Sequence, residues 1–377
     1  MTFVRAQVLL AIVFFVCSAG SAAAEPKFLS KQYTRCTTCH ISPTGGGLLS
    51  AYGRSLSHRE LSTTGAPMAS HGDSMTPAPG EESFLWGVFG DKLGALQLGV
   101  EMRPSYLYYS FLGTSTDRNL LMNADVLASY KVKDWLFYGQ VGRELESDGF
   151  TLDSSEYWGG YQPEEGVGFR AGRFLPAYGI RFADHTAFNR SFLGLAQYDQ
   201  IYGVELSHTR GRYLTQVSLG PGRAESVIDD DAAFTATGRL QIDLGSRASV
   251  AASGLFRNES DLEPQRGSAG VALGFAPGSR LTTWTQIDGQ FREGATDTSY
   301  VFINETSLEV YRGIWVTFTP QARFGGGEAV PDIVRLGFGT TFLPRTHFNV
   351  NLSYYNDNNR TSDITTHIFL AQLHLYL

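Results

Sequence analysis

The chain has 377 residues, a formal net charge of −7 at pH 7 and 18 % charged residues. That acidic balance argues against a nucleic-acid partner, whose phosphates call for a basic face. From residue 93 to the C-terminus no apolar run approaches the roughly 18 residues of a membrane helix.

Taken in chain order, residues 1–24 carry Arg5, an apolar core from Val8 to Val16, and Ala22, Ala23 and Ala24 ahead of Glu25. Together these predict a cleavable secretory signal, with the mature chain beginning near Glu25. Lipoprotein processing at Cys17 would need a small residue before it, and Phe15 and Val16 stand there instead. Cys17 then leaves with the signal.

The two remaining cysteines lie in CTTCH, Cys36 to His40. An oxidising compartment permits a disulfide between Cys36 and Cys39, and the pair is also half of a tetrahedral zinc set. His40 directly after the second cysteine, the export signal and the lack of another thiol favour a third chemistry. In it, Cys36 and Cys39 form thioether bonds to one haem c and His40 is the proximal iron ligand.

The run ISPTGGG, Ile41 to Gly47, would turn the chain or bring its backbone close to a flat macrocycle. Leu48 to Leu61 predicts a short helix with Leu48, Leu49, Tyr52, Leu56 and Arg59 on one face. So short a module buries little core by itself, and needs either the haem or a docking surface on the rest of the chain. For the sixth iron position, His58 on the predicted helix and Met68, His71 and Met75 in the Pro, Gly and Ser-rich linker are within chain reach. His58 reads equally well as a solvated helix-end residue, and a five-coordinate or barrel-ligated iron is the remaining option.

Beyond the linker, period-two alternation takes over. Leu96, Leu98, Val100 and Met102 alternate with Gln97, Gly99, Glu101 and Arg103, and the runs Phe234 to Leu244 and Ile314 to Phe324 repeat the pattern. About sixteen such strands follow, near 94–109, 117–132, 135–147, 154–162, 166–174, 200–209, 212–220, 232–244, 247–258, 265–276, 279–292, 298–312, 314–327, 332–343, 346–357 and 364–377. Links after even strands are short, and most links after odd strands are longer and polar, as in outer-membrane barrels with short periplasmic turns. A soluble sandwich or propeller seldom keeps strands this long with loops so unequal on its two ends. The 42 Gly, 18 Tyr and 25 Phe agree, since Tyr suits membrane interfaces and Gly suits strongly curved strands.

The expected fold is therefore all-β: an antiparallel transmembrane β-barrel of about sixteen strands at 81–377. Before it come the signal peptide at 1–24 and a small, mainly helical or irregular N-terminal c-type haem module with its linker at 25–80. The last strand, ending at Leu377, resembles the terminal signal that barrel-assembly machinery reads, with Leu377 where an aromatic is usual. An even strand count puts both chain ends in the periplasm, and CTTCH at the periplasmic mouth or inside the lumen. Glu101, Asp125, Arg170, Glu205, Arg239, Asp243, Asp288, Glu305, Glu309, Arg323 and Arg335 are expected to face lumen water as a ladder of ion pairs.

Phe174 to Asp199 is too long for a hairpin and too apolar for a free loop. With the strand GFRAGRF before it and Pro176, Tyr178 and Gly179 within it, it resembles the matching run of the phosphate-selective porin family. That resemblance implies a third outer loop folded into the lumen, with Arg181, Asp184, His185 and Arg190 lining a constriction. The alternative is an outer loop packed on its own aromatics, and His185 is a further residue that could approach the haem.

A signal peptide, one Cys-x-x-Cys-His module and a barrel in one chain resembles the fused monohaem cytochrome-porins of the bacterial outer membrane, best known as ferrous-iron oxidases. At residue level Cys36, Cys39 and His40 carry the resemblance. It implies electron transfer between an extracellular redox substrate and a periplasmic electron-transfer protein such as a soluble cytochrome, in a barrel surrounded by outer-membrane lipid. No nucleophile and base constellation or phosphate-cradling loop stands out for a conventional enzyme. The alternatives are a solute porin, for instance for an anion, with an accessory haem module, and an assembly or adhesion barrel.

Overall fold

The computed structural model describes residues 26–63, 94–143, 152–154, 156–184, 186–196, 199–221, 234–258, 265–293, 297–326, 332–345 and 347–376. The signal peptide, Met68, His71, Met75, His185 and Leu377 lie outside the described residues, as does the side chain of His58.

The strands are β1 (Leu96–Phe111), β2 (Thr114–Val132), β3 (Trp135–Arg143), β4 (Leu152–Asp153), β5 (Tyr157–Glu164), β6 (Val167–Phe174), β7 (Ile201–Arg210), β8 (Tyr213–Pro221) and β9 (Phe234–Gly245). They continue as β10 (Ala248–Asn258), β11 (Arg266–Phe275), β12 (Leu281–Arg292), β13 (Ser299–Tyr311), β14 (Ile314–Gly325), β15 (Ile333–Arg345), β16 (Phe348–Asn359) and β17 (Ile364–Tyr376). The short β4 and the longer β5 both pair with β3 and form one stave, so the sheet has sixteen staves. Every neighbour is antiparallel, and β1 pairs with β17 from Glu101↔Tyr376 to Phe111↔Thr366, which closes the barrel. Among the described strands closure leaves no sheet edge unpaired, as a strand-built membrane protein requires.

The alternation sorts cleanly at the wall. On β12, Thr282, Trp284, Gln286 and Asp288 are buried on the inner face, while Ile287 and Phe291 are exposed outside. Val217, Leu240, Val271 and Ile287 form part of an exposed apolar band. Tyr130, Trp135, Tyr213 and Tyr311 ring it at one end, and Tyr109, Phe111, Phe291 and Tyr300 ring it at the other. An apolar belt between two aromatic girdles is the exterior of a membrane barrel.

The interior differs from the expected water-facing ladder. Asp243, Glu205, Arg170, Asp288, Glu309 and Arg335 are buried because two segments of the chain fill the lumen. Residues 26–63 occupy the short-turn half: Ser30 N–H donates to Thr282 Oγ1 at 3.0 Å, Trp284 Nε1 donates to Pro26 O at 2.9 Å, and Thr63 Oγ1 donates to Pro344 O at 2.8 Å. The loop after β6 crosses the lumen above them. Tyr178 Oη donates to Asp288 Oδ1 at 2.9 Å, Ile180 N–H to Gln286 Oε1 at 2.8 Å and Phe188 N–H to Gln321 Oε1 at 2.7 Å.

Apolar clusters weld the three parts together. Leu29 of the N-terminal segment meets Ile180 and Phe182 of the loop and Trp284 and Ile303 of the wall. Leu48 packs on Leu127, Tyr138 and Trp158, and Leu61 on Trp315 and Leu343. Each fully buried side chain of this size contributes about 1.5–3 kcal/mol over leaving it exposed, which is how so short a segment keeps one position. The wall supplies the core that it lacks.

The helix also differs from its expected start. It is α1 (Ala51–Leu56), followed by one wider turn over Ser57–Leu61. Ser50 is its N-cap, the hydroxyl accepting from Gly53 N at 3.1 Å. Leu48 and Leu49 instead lie in a hairpin, Leu48 O accepting from Ile41 N at 3.0 Å and Leu49 bridging His40.

Candidate functional site

CTTCH forms a single tight turn. Cys36–Thr38 is a 3₁₀ turn, and Cys36 O accepts from Cys39 N at 3.1 Å and from His40 N at 3.0 Å. Three residues per turn set Cys36 and Cys39 on one side, with His40 directly after them. The chain then folds back through ISPTGGG so that α1 crosses behind the turn, Ser50 N–H donating to Cys39 O at 2.8 Å.

Glycine is needed at two of these positions. Gly45 has φ +80, and a Cβ there would stand 3.1 Å from Cys36 Cβ. Gly53 lies so close to the Cys39 carbonyl that a Cβ would overlap it. The run of glycines thus lets the hairpin close over Cys36.

Cys36, Cys39 and His40 border one lumen cavity. Its apolar side is Phe28, Leu49, Leu56, Leu61 and Leu343, and its far wall is polar, with Glu101, Asn349, Asn351, Gln372 and His374. Arg103, Arg181 and Arg190 bring positive charge to its border. Tyr33 also faces it, its hydroxyl donating to Glu60 Oε2 at 2.9 Å. Burial, then the Tyr52 hydrogen bond and the Glu60 charge, push the Tyr33 phenol far up, so it stays a donor.

Of the four loop residues expected at a constriction, Arg181 and Arg190 border the cavity. Arg181 donates to Gly45 O and stands 3.8 Å from Glu156 Oε1, tying the loop to the glycine run. Arg190 is held by carbonyls, Nη1 donating to Phe182 O at 3.0 Å and Nε to Leu195 O at 3.3 Å. Burial, with Arg181 nearby, pushes its guanidinium down to about 9. Asp184 caps its own turn, Oδ1 accepting from Thr186 N and Oγ1 at 2.8 Å each, and it does not border the cavity. The loop's short helix is α2 (Phe188–Ser191), seated on β13 and β14.

Glu101 was expected on the lumen face, whereas His374, Arg103 and Glu156 were given no role by the sequence pattern. Their inward phase on alternating strands was a usable signal, but which inner residues meet the N-terminal segment is a matter of three-dimensional register. Among the described residues no group of three or more His, Cys, Asp or Glu is gathered to hold a metal ion by itself.

No family model matches the sequence, and no curated protein matches it. Solved structures do. The outer membrane channel DcaP of Acinetobacter baumannii superposes with a TM-score of 0.56 at 10 % identity, over 75 % of this chain and 97 % of that one. An anion-selective porin from Comamonas acidovorans gives 0.56 at 10 % identity, over 75 % and 99 %. OprB of Pseudomonas putida gives 0.61 at 8 % identity, over 85 % and 100 %. At such identities the likeness is one of architecture: this chain has the barrel fold of outer-membrane porins.

Proposed function

We propose that this protein is an outer-membrane barrel that carries a covalently attached haem c in its lumen and passes electrons between an extracellular redox substrate and a periplasmic electron carrier. The observation that carries the reading is the single turn that sets Cys36, Cys39 and His40 on the border of one lumen cavity.

The residues present fit the group. Cys36 and Cys39 would hold it by two thioether bonds and His40 would ligate its iron. Phe28, Leu49, Leu56 and Leu61 offer an apolar bed, and Arg103, Arg181 and Arg190 offer charge for acidic side arms. When bound, haem supplies reversible one-electron chemistry at iron. The chain's own part would be to hold that centre inside a wall that crosses about 30 Å of hydrocarbon and to pin the turn to the barrel through Thr34 and Arg35. The fold likeness supports a location in the bacterial outer membrane. Ferrous iron as the extracellular donor rests only on the resemblance to fused cytochrome-porins.

The likeness to solved porins, one of them described as anion-selective, favours a second reading: passage of a small solute through a barrel with an accessory haem module. Arg103, Arg181 and Arg190 on the cavity border are compatible with an anion. Against free passage stand the two segments that fill the lumen.

The test is production of the full chain in a host that matures c-type cytochromes. The first reading requires haem that survives denaturing electrophoresis at the mass of the chain, lost in Cys36→Ser/Cys39→Ser. In proteoliposomes it also requires electron flow from an external reductant to an enclosed soluble cytochrome, lost in His40→Ala. A chain without covalent haem overturns it. A solute porin instead gives steady ionic conductance in planar bilayers that is indifferent to both substitutions.

A further inference from the structure

We propose that the short-turn end of the barrel is the docking face for the periplasmic electron carrier, and that this carrier is a soluble protein with an acidic surface around its own redox centre. The proposal rests on the haem reading above and adds to it the chemistry of the partner.

Six of the seven turns at that end carry a basic side chain. Lys131 and Lys133 stand at the turn after β2, Arg210 and Arg212 at the turn after β7, and Arg280 and Arg345 at the turns after β11 and β15. All six side chains are exposed, and none has an ion-pair partner among the described residues. Arg247 and Arg312 add half-buried cations after β9 and β13. Against them the exposed acids of these turns are Asp134, Glu164 and Glu165. A chain of net charge −7 does not gather cations at one end by average composition. The links after β8 and β10 carry the opposite sign, with Asp229, Asp230 and Asp231 in the first and Glu259, Asp261 and Glu263 in the second.

The basic turns are also fastened to the CTTCH segment. Arg35 Nη2 donates to Gly211 O at 2.7 Å, so the carbonyl between Arg210 and Arg212 holds the residue that precedes Cys36. At the other end of the segment Thr63 N–H donates to Leu343 O at 2.9 Å and Thr63 Oγ1 to Pro344 O at 2.8 Å, next to Arg345. A protein drawn to these turns therefore meets the wall where the CTTCH turn is tied to it. Exposed cations steer an acidic protein into encounter and repel a basic one, which governs association rate and orientation more than affinity. Anionic lipid headgroups are the other acid that fits such a rim. The tie between Gly211 and Arg35 favours the carrier.

The experiment uses the full-length, haem-loaded barrel in nanodiscs of zwitterionic phosphatidylcholine. The probes are two oxidised soluble monohaem cytochromes of matched potential, one with an acidic and one with a basic surface around the haem edge, and stopped flow follows electron transfer from the reduced barrel. At low salt the acidic probe should react at least about tenfold faster than the basic one. That advantage should vanish in about 1 M salt, where charges are screened within about 3 Å. Arg210→Gln/Arg212→Gln/Arg280→Gln should slow the acidic probe about tenfold while keeping covalent haem and heat-modifiable migration. Arg118→Gln, exposed near the opposite end of β2, should react like wild type. Equal rates for the two probes, or a triple variant as fast as wild type, overturns the docking face and leaves the haem reading standing. Phosphatidylglycerol that co-purifies with wild type and is lost from such an equally fast variant would assign the rim to lipid headgroups instead. Absence of covalent haem from the wild-type chain overturns both.

Discussion

Arg35 and Asp243 form a buried ion pair between the inserted segment and β9, Arg35 Nε donating to Asp243 Oδ2 at 2.8 Å with Nη2 at 2.6 Å from the same oxygen. The pair is one residue ahead of Cys36, so it sets where the CTTCH turn stands against the wall. Asp243 also accepts from Thr34 Oγ1 at 2.7 Å, Gln241 Nε2 at 2.9 Å and Ser249 Oγ at 3.2 Å through Oδ1. This is a fully used carboxylate, and its removal strands a buried guanidinium.

Asp243→Ala should therefore loosen residues 26–63 by about 3–5 kcal/mol, the usual cost of leaving one partner of a buried pair uncompensated. Hydrogen exchange on the detergent-solubilised protein should show lost protection across 26–63 and unchanged protection in the strands. Equal protection in both segments of the variant and wild type would show that the pair is not the anchor.

Gly53→Ala should disturb the turn itself, since the new methyl meets the Cys39 carbonyl. Overpacking of this kind costs about 1–3 kcal/mol. The measurable consequence under the haem reading is a fall in covalently loaded chains by mass spectrometry. Gly238→Ala, where an added Cβ meets nothing within 4 Å, should load like wild type.

Trp315 is fully buried on the inner face of β14 and packs with Leu61, Leu343 and Phe28, the last ring edge-on at 6.0 Å. Trp315→Ala should cost about 3–5 kcal/mol of docking for the lumen segment. Tryptic cleavage after Lys31, whose ammonium lies 5.7 Å over the Trp315 ring and pairs with Glu309, should then accelerate. A cleavage rate equal to that of wild type counts against the docking role.

Val271 is 55 % exposed at the middle of β11, beside Ile287 on β12. Val271→Arg should destabilise the barrel in lipid by about 2–4 kcal/mol, as for a cation at the bilayer midplane. Urea unfolding in phospholipid vesicles, followed by tryptophan fluorescence, gives the difference. A loss below about 0.5 kcal/mol, typical of an ordinary surface site, would place Val271 outside the membrane.

Much of the wall was legible from local pattern. Gln286 and Asp288 alternate with Ile287, and the period of two alone tells that they face apart. Length and apolar content marked the run after β6 as neither a hairpin nor a free loop, while its place in the lumen was implied only by the resemblance to phosphate-selective porins. Other features were not legible. The helix was expected from Leu48, but Ser50 offers a side-chain cap and Leu48 finds a hairpin partner in Ile41, a competition that helical periodicity does not weigh. Trp315, Val301 and Ile303 on inner faces break a polar interior rule until the inserted segments that cover them are in place.

By itself the sequence determined the strands, their two faces, the closed all-β class and the CTTCH motif, because all of these follow from spacings within a few residues. Only the tertiary structure decided that residues 26–63 lie inside the barrel, that Arg35 meets Asp243 across 208 positions, and that His374 shares a cavity with His40. Those contacts join distant parts of the chain through barrel closure and register. Strand periodicity records which way a side chain points and carries no trace of what it will meet there.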